Sequence, residues 1–166
     1  ETNEIEVLSG KGIIGDRYFH ENNDLRKQLT LIESENIDYY NKTFNTNFTY
    51  LEFRRNLVTQ NIQLNDLIGK TLSIGEIKIK VHDLCRPCKN LQQKLGKDNI
   101  IKEFLRRGGL RCEILNSGSI EIGDNIKTIG LRFFSVYGPY GRSDMAYYKF
   151  PLRLIKNKTN SIKLRA

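Results

Sequence analysis

The 166-residue sequence has no tryptophan, three cysteines, three prolines and no long apolar run. Without a stretch of about eighteen apolar residues, nothing in it reads as a membrane-spanning helix. The opening ETNEIEVLSG lacks the basic-then-apolar order of a secretory leader, so a soluble protein of the cytoplasm is expected. Three cysteines are too few, and odd in number, for a disulfide-stapled secreted scaffold; reduced thiols are the expectation. No Pro/Gly/Ser tract, internal repeat or low-complexity segment interrupts the chain. The single methionine, Met145, is far from the start, which points to an N-terminal piece removed upstream.

A hydrophobic content of 39% with 28% charged residues suits one globular domain with a core of its own. The net charge of +8 is unevenly placed. Residues 1–130 hold 19 Lys and Arg against 18 Asp and Glu (19 − 18 = +1), and residues 131–166 hold 8 against 1 (8 − 1 = +7). A boundary near Gly130 therefore separates a body, 1–130, from a basic C-terminal extension, 131–166. The extension carries Phe133, Phe134, Tyr137, Tyr140, Tyr147 and Tyr148 among its cations. Its plainest reading is a tail anchored by aromatics or partly disordered. Basic residues interleaved with aromatics are also the pattern that tracks a phosphate backbone, so a nucleic-acid-binding module stands as one alternative.

In the body, apolar residues alternate with polar ones in short runs. IEVL (5–8), QLTLI (28–32) and EIKIKV (76–81) read as strands, as do RRNLVT (54–59), KTLSI (70–74), RCEILN (111–116) and NIKTI (125–129). Glycine pairs such as Gly15-Asp16, Gly123-Asp124 and the Asn116-Ser117-Gly118 run supply turns. Short strands with closely spaced turns predict a mainly β, α+β fold built on a small closed barrel. Helical spacing is confined to 34–44, with Ser34 as N-cap, to 88–95, where Leu91 and Leu95 are four apart, and to 99–107, stopped by Gly108-Gly109.

The segment LCRPCKNL (84–91) joins a strand to a helix through two cysteines. Pro87 suits the start of a helix, which puts Cys88 in or beside the first turn. Free backbone N–H groups, the helix dipole, Arg86 and Lys89 would favour a thiolate there, so Cys88 is the better reactive sulfur. Cys85 is expected to pack as a small apolar residue. Structural zinc would take His82, Cys85 and Cys88 with Cys112 or His20 as fourth ligand, but no second paired cluster exists. A thiol-disulfide oxidoreductase would use Cys85 and Cys88 as a C-x-P-C pair, although the chain lacks the regular helices of a parallel α/β sheet and a tryptophan beside the motif. A lone thiolate serving a soft metal centre is the third reading. His20, in the polar FHENND loop, reads as a surface residue, and His82 as lying on the polar side of its strand.

In order along the chain, GIIGDR (12–17), KQLTLIESENI (27–37), FRRNLVT (53–59), LIGKTLSIGEIKIKV (67–81), LCRPC (84–88), RRGGLRCEIL (106–115) and GSIEIGDNI (118–126) resemble a MOSC domain, the family named for the C-terminal domain of molybdenum-cofactor sulfurases. The resemblance spans roughly residues 5–130 and implies a barrel of the pyruvate-kinase-barrel type. It implies that Cys88 is the functional sulfur, ligating molybdenum of a molybdopterin cofactor or holding sulfur, and that the protein acts as a small reductase of N-hydroxylated compounds or as a sulfur or cofactor carrier. Positive donors for the pterin phosphate are expected from Arg54, Arg55, Arg17 and Arg111, with Asn56 for the pterin edge and Gly109 for close backbone approach. A separate protein would donate cofactor or sulfur, and an external donor the electrons. No pyridoxal phosphate is expected, because no lysine motif for it is present. Oligomeric state is not set by the sequence.

Overall fold

The computed structural model describes residues 3–21 and 23–129. The alternating segments become nine strands: β1 (Glu4–Leu8), β2 (Gly12–Ile13), β3 (Leu29–Glu33), β4 (Leu57–Thr59), β5 (Thr71–Ile74), β6 (Ile77–Leu84), β7 (Leu110–Ile114), β8 (Gly118–Glu121) and β9 (Ile126–Ile129). Three helices accompany them: α1 (Ser34–Phe44), α2 (Lys89–Leu95) and α3 (Ile100–Glu103). Among the described residues no helix is long and apolar enough to cross a membrane.

The strands form a six-stranded sheet of order β4-β3-β7-β6-β5-β9 and a three-stranded sheet of order β2-β1-β8. All pairings are antiparallel except β3 with β4. The fold is thus mainly β with few helices, and its hydrogen-bond ladder runs as two sheets where a single closed barrel was expected. The split falls at the β8–β9 hairpin. Its turn is closed by Asp124 Oδ2, which accepts from the Glu121 N–H at 3.0 Å; β8 goes to β1 and β9 to β5.

Two cores lie on either side of the large sheet. Leu29 and Leu31 of β3 join Leu72, Ile74, Ile77 and Ile79 in a core that also takes Val7, Ile13 and Ile120 from the small sheet. Ile32, the next residue along β3, points the other way, into a cluster with Ile37, Tyr40, Phe53, Leu91, Ile100 and Phe104. Period-two alternation in one strand thereby serves both layers. Each such Leu, Ile or Phe contributes about 1.5–3 kcal/mol when fully buried.

Local details depart from the sequence reading where short-range geometry decides. Glu33, not Ser34, is the N-cap of α1. The strand expected from residue 54 begins only at Leu57, because Arg54 takes a left-handed conformation (φ 55°) to close the 3₁₀ turn Tyr50–Phe53. The helix expected over 99–107 ends at Glu103, and residues 104–107 are turn. Strands β2 and β8, too short or too polar to alternate visibly, were not anticipated. The extension 131–166 lies outside the described residues.

Candidate functional site

Strand β6 delivers Cys85 to a place where three chain segments meet backbone to backbone. The Cys85 N–H donates to the Gly109 carbonyl at 2.7 Å. Gly109 (φ +94°) has no room for a side chain, since a Cβ would drive into the Leu31 carbonyl, and one on Gly108 would strike the Cys85 carbonyl. The Arg55 guanidinium closes this knot. Its Nε donates to the Gly108 carbonyl at 2.8 Å, Nη1 to Phe53 at 3.1 Å and Nη2 to Cys85 at 3.2 Å. Three carbonyls drawn together by one fixed cation form a rigid frame for the loop that follows.

From that frame the chain runs through Pro87 to Cys88, the N-cap of α2, whose backbone is extended (φ −116°, ψ 167°). Cys88 is exposed, whereas Cys85 is 7% exposed. Arg111, opposite Asp83 in the β6–β7 register, lies near the Cys85 sulfur, whose proximity raises its pKa above the ordinary arginine value. Cys112 is fully buried, and burial pushes its thiol well up.

Cys88 opens onto a cleft of about 910 Å³, near the upper end of the ordinary range for small-molecule sites. One wall comes from the sheet side, with Asp16, Arg17, Arg54, Arg55, Asn56 and Arg111; α2 and its approach supply Arg86, Asn90 and Lys94; Arg26, Lys27 and Gln28 also face it. The sheet-side rim is internally bonded. Asn56 Oδ1 accepts from the Thr30 N–H at 2.9 Å and from its hydroxyl at 2.7 Å, while Nδ2 donates to Asp16 at 3.3 Å. Asp16 also accepts from the Tyr18 N–H at 2.7 Å, and Arg17 lies 4.5 Å from the Tyr18 ring centroid. Gln28 is 3% exposed; its Oε1 accepts from the Ile114 N–H at 2.9 Å, and its buried Nε2 has no partner among the described residues.

The structure thus brings Cys88, Arg17, Arg54, Arg55, Asn56 and Arg111 to one cleft, whereas Gly109 sits behind it against β3. Within that set, Arg55 and Asn56 already spend their polar atoms on the protein itself. His20 is exposed, and His82 pairs with Glu113 at 2.8 Å. No group of three or more His, Cys, Asp or Glu gathers at metal-binding spacing among the described residues, so the zinc set is not assembled. Arg86, Asn90, Lys94, Arg26, Lys27 and Gln28 were not anticipated as lining. Asn90 and Lys94 left a signal, being four apart and out of phase with the buried Leu91 and Leu95. Gln28 left none, because only tertiary packing orphans its amide.

The family model for the MOSC domain matches residues 16–127. Among solved structures the chain is similar to YiiM from Escherichia coli (TM-score 0.62, 19% identity, covering 80% of this chain and 65% of that one). It is also similar to YiiM from Geobacillus stearothermophilus (TM-score 0.59, 22% identity, 64% and 56%) and to the YUAD protein from Bacillus subtilis (TM-score 0.65, 15% identity, 75% and 84%). Identities this low carry the fold alone. Curated relatives match only a short stretch. Uncharacterized protein MJ1055 of Methanocaldococcus jannaschii is 64% identical over 33 residues, 20% of this chain and 10% of that protein. UDP-glucuronate 4-epimerase 5 of Arabidopsis thaliana is 58% identical over 33 residues, 20% of this chain and 8% of that protein. The chain therefore spans no more than a tenth of the length of these two curated relatives.

Proposed function

The chain belongs to the MOSC domain family, and from that premise we propose that it binds molybdenum cofactor with the Cys88 sulfur as metal ligand and reduces N-hydroxylated small molecules in the cytoplasm, using electrons from an external donor. The observation that carries this reading is the exposed Cys88 sulfur opening onto the same cleft as Arg17, Arg54 and Arg111.

The residues present fit such a group. A soft thiol is a suitable ligand for an oxidised molybdenum centre. The surrounding guanidinium groups present donor forks to a phosphate, and the orphaned Nε2 of Gln28 is a buried donor in want of an acceptor. When bound, the cofactor supplies a metal that takes up the oxygen atom of the substrate and accepts electrons from the donor. The protein's share is placement. Arg54 and Arg111 hold the phosphate, Arg55 fixes the carbonyl frame beneath the Cys88 loop, and the Thr30–Asn56–Asp16 chain holds the opposite rim. Because these bonds exist before any ligand arrives, little ordering remains to be done on binding. Among the described residues Asp16 is the only carboxylate lining the cleft, and it accepts from the Tyr18 N–H and the Asn56 amide.

The extension plays no part in this reading.

The test is turnover of an N-hydroxylated amidine by cofactor-loaded protein with a reduced viologen as electron donor. Viologen oxidation that depends on the amidine and disappears in Cys88→Ser is expected. Activity that survives in Cys88→Ser but is lost in Cys85→Ala sinks this reading in favour of a dithiol enzyme. Tight cofactor binding without turnover sinks the reductase role and leaves a carrier.

A further inference from the structure

Charge is segregated within residues 1–130. The cleft beside Cys88 takes eight of the 19 Lys and Arg and one of the 18 Asp and Glu. The remainder of the segment is left with 11 cations (19 − 8) and 17 anions (18 − 1), so it carries a net negative charge, and of the cleft's cations Arg26 and Lys27 are paired with Asp83 and Asp24. A smaller hollow of about 440 Å³ has the opposite character, with Glu76, Glu121 and Asp124 and no cation. A chain that merely scattered charge for solubility would not divide it so.

The phosphate of a pterin cofactor carries only about −1.5 to −2 at pH 7, and the sheet-side wall alone offers Arg17, Arg54 and Arg111 to it. The opposite wall remains. Arg86 precedes Cys88 by two residues, and Asn90 and Lys94 share one face of α2, whose rotation is fixed by Leu91 and Leu95 in the helical core. Neither Arg86 nor Lys94 has a carboxylate within 4 Å among the described residues. Like charges gathered in a concave site focus the field and concentrate anions there.

We propose that Arg86, Asn90 and Lys94 form the substrate subsite and that it selects a small molecule bearing an oxyanion, which it delivers to the Cys88 side of the cleft. Arg86 presents a fork to the oxyanion, Lys94 a mobile point charge, and Asn90 an amide that donates to the same group or accepts from a neighbouring N–H. The inference rests on the cofactor reading above, because that reading assigns the other wall to the pterin phosphate.

Alkylation of Cys88 in the full-length, cofactor-free chain separates the two claims. Iodoacetate, an anion, and iodoacetamide, its neutral analogue, attack the same sulfur and release the same iodide, so thiol ionisation cancels in the ratio of their rate constants. At low salt that ratio, followed on the Cys88 peptide by mass spectrometry, should exceed the ratio for N-acetylcysteine by roughly tenfold and fall towards it at high salt. The double substitution Arg86→Ala/Lys94→Ala should lower it at least threefold, more than Arg54→Ala does. A wild-type ratio equal to that of the free thiol overturns the inference, as does a drop caused by Arg54→Ala and not by the α2 pair. Cofactor content of the double variant is the second readout. Retention at the wild-type level is expected, and its loss would give these residues to the cofactor and overturn the substrate subsite without touching the cofactor reading. A wild-type chain that binds no cofactor would sink that reading, and the alkylation ratio would still decide whether the α2 wall selects anions.

Discussion

The two walls of the cleft are built on opposite plans. On the sheet side, two residues beside the exposed Arg17 and Arg54 are spent on the protein: Arg55 binds three carbonyls and Asn56 binds Thr30 and Asp16. On the α2 side, Arg86, Asn90 and Lys94 are exposed, and neither cation has a carboxylate partner among the described residues. A wall that is bonded within itself holds shape; one with uncommitted charge recruits ligand. Substitutions at Arg55 and Asn56 should therefore be felt in stability, and those at Arg86 and Lys94 in what the cleft attracts.

Gly109→Ala should have the largest effect. It places a Cβ against the Leu31 carbonyl at φ +94°, and a loss of about 3–5 kcal/mol in urea unfolding is expected; a loss under about 1 kcal/mol would show that the carbonyl knot yields easily. Arg55→Ala should follow at about 2–3 kcal/mol, since three carbonyls lose a charged donor, and Arg55→Lys should recover only part, because an ammonium cannot span the fork. Asn56→Ala should cost about 1–2 kcal/mol by orphaning the Thr30 N–H. Arg86→Ala and Lys94→Ala should each change stability by less than about 0.5 kcal/mol while shifting the anion preference of Cys88. If Arg55→Ala proves as mild as Lys94→Ala in unfolding, the contrast between the walls is gone.

Much of this was legible in the sequence, for identifiable reasons. Alternation marked β1, β5, β6 and β7 because each buries one face, Pro87 before a periodic run placed Cys88 beside the start of α2, and β3 and β9 were marked as well although β3 buries both faces and β9 has no buried residue. The MOSC motifs named a set of polar residues of which all but Gly109 line one cleft. What the motifs did not separate is ligand donor from strut. Arg54 and Arg55 are neighbours of identical type, yet a left-handed turn at Arg54 sends one side chain to solvent and the other to three carbonyls. That distinction depends on long-range backbone meetings. Strand β8 stayed hidden because only Ile120 of its four residues is buried, and the two-sheet ladder because it hinges on which partner each arm of the β8–β9 hairpin takes.

Cys85 and Cys88 differ by three positions and by burial, and the central claim is that the exposed one is the metal ligand. Molybdenum and pterin content, measured after purification from the native host for wild type, Cys88→Ser and Cys85→Ser, tests it most directly. Cofactor should be present in wild type and in Cys85→Ser and absent from Cys88→Ser; equal content in wild type and Cys88→Ser would contradict it.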